Sequence, residues 1–136
     1  MAVVKDLIKV ESDGSLSFGD YTLQEKGKLE DFKYNGDVYS VKTYKPMTKF
    51  KRNDMLVYES VPGTSVNNLV EDEEKLEFLV SGEGDAQITV GLEENTEYDV
   101  NIAGTDLGKM STNMSGKLSL SIDLQGKGEV KVVIKK

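Results

Sequence analysis

Phe32-Lys33-Tyr34-Asn35-Gly36-Asp37-Val38-Tyr39 is the stretch on which the fold is decided. Aromatic and polar residues alternate up to an Asn-Gly pair, and Val38 and Tyr39 follow it. A period of two marks a strand with one packed face, and Asn-Gly suits a two-residue type I′ turn, where both central residues need positive φ. In that register Tyr34 pairs with Asp37 and Phe32 with Tyr39. Phe32, Tyr34, Tyr39 and Val41 then share one face.

Working downstream, Tyr44 extends the second strand and Pro46 ends it. Asn53-Asp54 makes another turn, and residues 55–61 form a strand that runs into Pro62-Gly63. Proline has no N–H for a ladder and glycine accepts positive φ, so that pair is expected to stop the strand. Residues 58–64 are also where the chain changes character, because eight of its ten Phe and Tyr residues lie between Phe18 and Tyr58. Beyond the junction the rhythm is regular. Leu76, Phe78 and Val80 alternate, as do Ala86, Ile88, Val90 and Leu92. Tyr98, Val100 and Ile102 follow, then Leu118, Leu120, Ile122 and Leu124, then Val130, Val132 and Ile134. Between them lie Glu71-Asp72-Glu73-Glu74, a glycine-rich loop at 81–85, and turns at Ala103-Gly104, at residues 113–116 and at Gly126-Lys127-Gly128.

Upstream, Asp13-Gly14 and Gly19-Asp20 are turn signals around Leu16 and Phe18. Residues 3–10 fit a short helix or a strand about equally, and their β-branched content tips them to strand. Short strands separated by turns every eight to twelve residues point to an antiparallel sandwich or barrel. The expected fold is therefore all-β: an immunoglobulin- or fibronectin-like antiparallel sandwich over residues 55–136. A hairpin-rich β subdomain at 1–54 either packs on it or forms a small barrel of its own.

Composition narrows the chemistry. The chain has 136 residues, no cysteine, no histidine, no tryptophan and a formal net charge of −7. Zinc and copper sites draw on imidazole or thiolate, so no such site is expected. Calcium, which takes carboxylate and carbonyl oxygens, remains possible on composition; otherwise no cofactor is expected. The negative charge argues against nucleic acid as a partner. No segment reads as a signal peptide or a membrane span, which makes the cytoplasm the expected compartment and leaves no role for a membrane.

Charge is unevenly placed. Residues 38–52 hold no acid but include Lys42, Lys45, Lys49, Lys51 and Arg52. Residues 71–99 are rich in acids, with Glu71, Asp72, Glu73 and Glu74 adjacent and Lys75 the single base. Two solvated faces would account for this, and so would electrostatic complementarity within one molecule or between copies. The early aromatics also have two readings. Phe32, Tyr34, Tyr39 and Tyr44 could form a glycan-binding face, or serve as the core of a strongly twisted hairpin region. For catalysis the residues offer only carboxylate pairs, with Glu59 and Asp85 the first to inspect.

Residues 58–64, together with Gly108-Lys109-Met110-Ser111-Thr112-Asn113-Met114-Ser115-Gly116-Lys117-Leu118-Ser119-Leu120-Ser121-Ile122-Asp123-Leu124, resemble a group of small bacterial proteins labelled "endosialidase". The second half is also similar to β-sandwich modules appended to polysaccharide-degrading enzymes. Sialidases grip the sialic acid carboxylate with three arginines, whose planar guanidinium forks a carboxylate as lysine cannot. This chain has Arg52 alone, so the resemblance carries no catalytic residue across. The expected function is a non-enzymatic structural or interaction protein, a homo-oligomer joined through β-edges or complementary charged faces. A glycan-binding module is the alternative, and a carboxylate-dependent glycan hydrolase ranks last.

Overall fold

The computed structural model describes residues 3–136 and is an antiparallel β-sandwich. Its strands run in order as β1 (Ile8–Val10), β2 (Leu16–Phe18), β3 (Gly27–Tyr34), β4 (Asp37–Tyr44), β5 (Met47–Arg52), β6 (Met55–Val61) and β7 (Ser65–Glu71), then β8 (Lys75–Ser81), β9 (Asp85–Gly91), β10 (Glu97–Ile102), β11 (Thr105–Ser111), β12 (Lys117–Asp123) and β13 (Val130–Lys135). One sheet has the order β1-β2-β7-β8-β13-β10-β11, the other β12-β9-β6-β5-β4-β3. Strands from either side of residue 54 therefore sit in both sheets. No helix among the described residues is long and apolar enough to cross a membrane.

The Asn-Gly hairpin forms in the expected register, with Phe32 opposite Tyr39 and Tyr34 opposite Asp37, and with Asn35 and Gly36 both at positive φ. Two local readings need adding to. β4 ends before Pro46, as expected, but Lys45-Pro46 is the turn of a second tight hairpin and β5, not foreseen, follows it at once. Its Thr48 and Phe50 face inward while Lys49 and Lys51 face out, so the basic spacing hid a strand. Of residues 3–10 only 8–10 are strand. Leu7 takes a φ of 72°, which interrupts the apolar run before it.

One apolar core lies between the sheets and draws on both ends of the chain, from Ile8 to Ile134. Its centre is aromatic. Phe18 stacks on Phe50 at 3.9 Å with planes 6° apart, and Tyr39 stacks on the same ring at 5.4 Å. Tyr58 meets Phe18 and Phe78 edge-on. The edge-on contacts of Tyr58 suit ring quadrupoles, which favour a positive edge against a negative face.

Beside this stack the 58–64 junction crosses from one sheet to the other. Thr64 Oγ1 joins the Tyr58 hydroxyl at 2.7 Å and Ser60 Oγ at 2.8 Å. Thr48 Oγ1 donates to the Thr64 carbonyl at 2.7 Å and accepts from the Thr64 N–H. Thr43 continues the chain of hydroxyls to Thr48 at 2.8 Å and accepts the Asp20 N–H at 2.9 Å. All four Ser and Thr side chains are buried, and each hydroxyl has a partner, as buried polar groups require. Gly63 belongs here for closeness, not for positive φ. A Cβ on it would lie 2.1 Å from the Tyr44 carbonyl oxygen.

Candidate functional site

The outer face of the six-stranded sheet carries the basic residues. Cross-strand register places Lys28 opposite Lys42, Lys42 opposite Lys49, Lys49 opposite Glu59 and Glu59 opposite Thr89. Three lysines thus stand in one row across β3, β4 and β5, and Lys51 stands one row on, opposite Ser40. Like charges placed directly opposite repel. The Lys42 ammonium shows the effect: neighbouring Lys26, then partial desolvation, then Lys28, Lys49 and Lys51 pull its pKa below the ordinary lysine value. A shallow depression of about 340 Å³ lies over the row, with Glu30, Asp31 and Asp54 also in its walls. Lys26 Nζ sits 5.6 Å from the centre of the Tyr44 ring, a cation–π distance. Lys45 lies apart, exposed in the β4–β5 turn.

The basic and acidic runs meet at one point. Arg52 Nη1, at the end of β5, donates to Glu71 Oε1, at the end of β7, over 2.6 Å. The pair bridges the two sheets. Burial works against the Arg52 charge, but the hydrogen bond and charge of Glu71 outweigh it and hold the guanidinium above its ordinary pKa. The other acids form a turn. Asp72 Oδ1 accepts the N–H groups of Glu74 and Lys75 at 2.8 and 2.9 Å, and Glu73 and Glu74 point into solvent. Among the described residues no three acidic side chains converge as a metal site would require.

The four aromatic candidates do not share a surface. Tyr39 is 7 % exposed and belongs to the core stack. Phe32 and Tyr34 are half-buried against the same core, and the Tyr34 hydroxyl donates to the Gly14 carbonyl at 3.3 Å. Tyr44 faces the other way, because β4 turns Tyr39, Val41 and Thr43 inward. Glu59 lies in the lysine row on β6, and exposed Asp85 starts β9 opposite Asp123. An open cleft of about 750 Å³ lies at the Arg52–Glu71 end, with Met55, Leu92, Glu93 and Tyr98 in its walls.

Which strands form the sheet edges is what residue patterns did not reveal. A sandwich has four, and exposed edges are normally blunted by shortness, bulges or charge. Here β1 has three residues. β3 carries an irregularity between Leu29 and Phe32, with Asp31 at positive φ, and presents Lys28, Glu30 and Lys33. β11 is irregular against β10 and contains Gly108 at a φ of 83°. β12 is neither short nor bulged, and its charges, Lys117 and Asp123, stand only at its two ends. Its seven residues pair with β9 in unbroken register, from Lys117 opposite Gly91 to Asp123 opposite Asp85. Leu118, Leu120 and Ile122 face the core, while Ser119 and Ser121 face out. Compared with family models, with curated proteins and with solved structures, the chain finds no match.

Proposed function

We propose that this is a non-enzymatic interaction protein that associates with further copies of itself. The observation that carries the reading is the long, unbulged edge of β12, a regular strand with one side paired and the middle of its other side open to a further strand. Such an edge donates and accepts main-chain hydrogen bonds to any strand of matching length, and natural sandwiches protect it unless it is used. A chain without histidine or cysteine, and with a single arginine, fits a role in binding more readily than one in bond cleavage.

The test is molar mass by light scattering over a range of protein concentrations and salt. Edge pairing gives a mass that rises with concentration and changes little with salt. Docking of the lysine face on the 71–74 turn of a neighbour gives a mass that falls as salt shortens the reach of exposed charges. A monomer at every concentration and ionic strength removes the proposal.

A second reading is supported by the Lys28–Lys42–Lys49 row beside Tyr44, which suits an acidic glycan better than a neutral one. Repeating the measurement with an added carboxylated polysaccharide such as alginate distinguishes the two. Binding there depends on Lys42 and Lys49 and weakens steeply with salt.

A further inference from the structure

The open edge of β12 can be read in more detail, and the reading rests on the self-association proposed above. At the two ends of the β9–β12 ladder, the Leu92 N–H donates to the Gly116 carbonyl and the Leu124 N–H donates to the Gly84 carbonyl. Both bonds join residues that are partners in the ladder register. In an antiparallel pair, bonded and non-bonded partners alternate. The even-numbered residues of β12 therefore bond to β9, and the odd-numbered residues aim their N–H and C=O groups at the open side.

Not all of those groups are free. Lys117 is the first odd residue, and its N–H donates to Asn113 Oδ1 at 2.9 Å while its carbonyl accepts the Asn113 N–H at 3.1 Å. The turn before β12 thus closes that end of the edge. Ser119, Ser121 and Asp123 remain, three consecutive outward-aimed peptide units with Ser121 at their centre.

We infer that β12 is a homotypic pairing site, with a second copy's β12 laid antiparallel across a two-fold axis at Ser121. This register alone engages every free edge group. Ser121 pairs with Ser121 of the second copy, and Ser119 of each copy pairs with Asp123 of the other. Shifting by two residues toward the N-terminus would set Asp123 of the second copy against Lys117, where Asn113 already sits. A shift of one residue would turn apolar positions of one copy against polar positions of the other. The side chains agree with the choice. On the outer face each Ser119 hydroxyl opposes an Asp123 carboxylate, and Lys117 is a diagonal neighbour of the same carboxylate. Within its own chain that carboxylate lies opposite Asp85, with Oδ1 accepting the Gln125 N–H at 3.0 Å. On the inner face Leu120 opposes Ile122, so the core runs on from one copy into the next. The two six-stranded sheets become one of twelve.

Because the chain has no cysteine, single cysteines report the register directly. At Ser121 the paired Cα atoms would lie about 5.5 Å apart, within disulfide range. At Ser119 the two copies of the residue would be four positions apart along the strand, about 14 Å, beyond it. Under mild oxidation Ser121→Cys should become a covalent dimer on a non-reducing gel, and Ser119→Cys should stay a monomer. Ser121→Pro removes the central donor at a position where a lone edge strand tolerates proline. It should give monomer mass by light scattering with an unchanged far-ultraviolet circular dichroism spectrum. Cross-linking of Ser119→Cys in preference to Ser121→Cys would overturn the register. A dimer that survives Ser121→Pro, with no cross-link at Ser121→Cys, would overturn the site while leaving self-association through another surface. A wild-type monomer at all concentrations would overturn both.

Discussion

At the scale of single residues, the most consequential side chain is Thr64. Its hydroxyl is the shared partner of Tyr58 and Ser60 at the point where the chain passes between sheets. Burial pushes the Tyr58 hydroxyl far above its ordinary pKa, so it stays neutral and must be hydrogen-bonded as a neutral group. Thr64→Val keeps the shape and removes the shared partner, leaving two buried hydroxyls against a methyl group. Unsatisfied buried polar groups cost about 1–3 kcal/mol. Urea unfolding of Thr64→Val should therefore show a loss of about that size with an unchanged dependence on denaturant. A loss under about 0.5 kcal/mol would mean that the hydroxyls find other partners. The importance of Thr64 was not legible in the sequence, because a threonine after Pro-Gly looks like any turn residue. Its role arises from Thr48 and Tyr58, which only the pairing of β5 with β6 brings near.

At the scale of elements, the alternating strands were readable because each has one buried face, and period two records burial directly. The Asn35-Gly36 turn was readable because its backbone demands those residues. β5 was not, since its outward positions are Lys49 and Lys51 and its inward ones include Thr48, which carries no apolar signal. Sheet membership was not readable either, because pairing partners are set by packing across the sandwich and not by the local pattern. The same holds for the sites: Arg52 and Glu71 could be listed as charges, but their meeting depends on where β5 and β7 end. Glycines separate the two kinds of information. Gly63 packs against the Tyr44 carbonyl, whereas Gly84, in the loop before β9, has open space where a Cβ would go. Gly63→Ala must displace backbone at the junction and should lower the melting temperature by several degrees. Gly84→Ala restricts the unfolded chain without a clash and should leave it unchanged or raise it slightly, by about 0.4–1 kcal/mol in stability. Equal effects in a thermal melt would mean that the approach at Gly63 is easily relieved.

At the scale of the whole molecule, the question is whether residues 1–54 and 55–136 can fold apart. The six-stranded sheet takes β3, β4 and β5 from the first segment and β6, β9 and β12 from the second, joined where β5 pairs with β6. The seven-stranded sheet takes β1 and β2 from the first segment, joined where β2 pairs with β7. Removing residues 1–54 would strip Phe18 and Phe50 from Tyr58 and expose two long strand edges at once, those of β6 and β7. The first segment alone would keep three hairpins split between two sheets, with too few inward side chains to bury both faces. Small β fragments with exposed edges are marginal or aggregate, because burial must offset chain entropy over the whole segment. Neither fragment should therefore give a cooperative thermal transition when made separately. Full-length protein should unfold in one step, with far- and near-ultraviolet signals superimposed. Mixing the two fragments should restore strand signal if their loss is only the loss of shared sheets. A cooperative melt from residues 55–136 alone would show that the second segment carries a sufficient core by itself, and that β1 to β5 are an addition to a smaller sandwich.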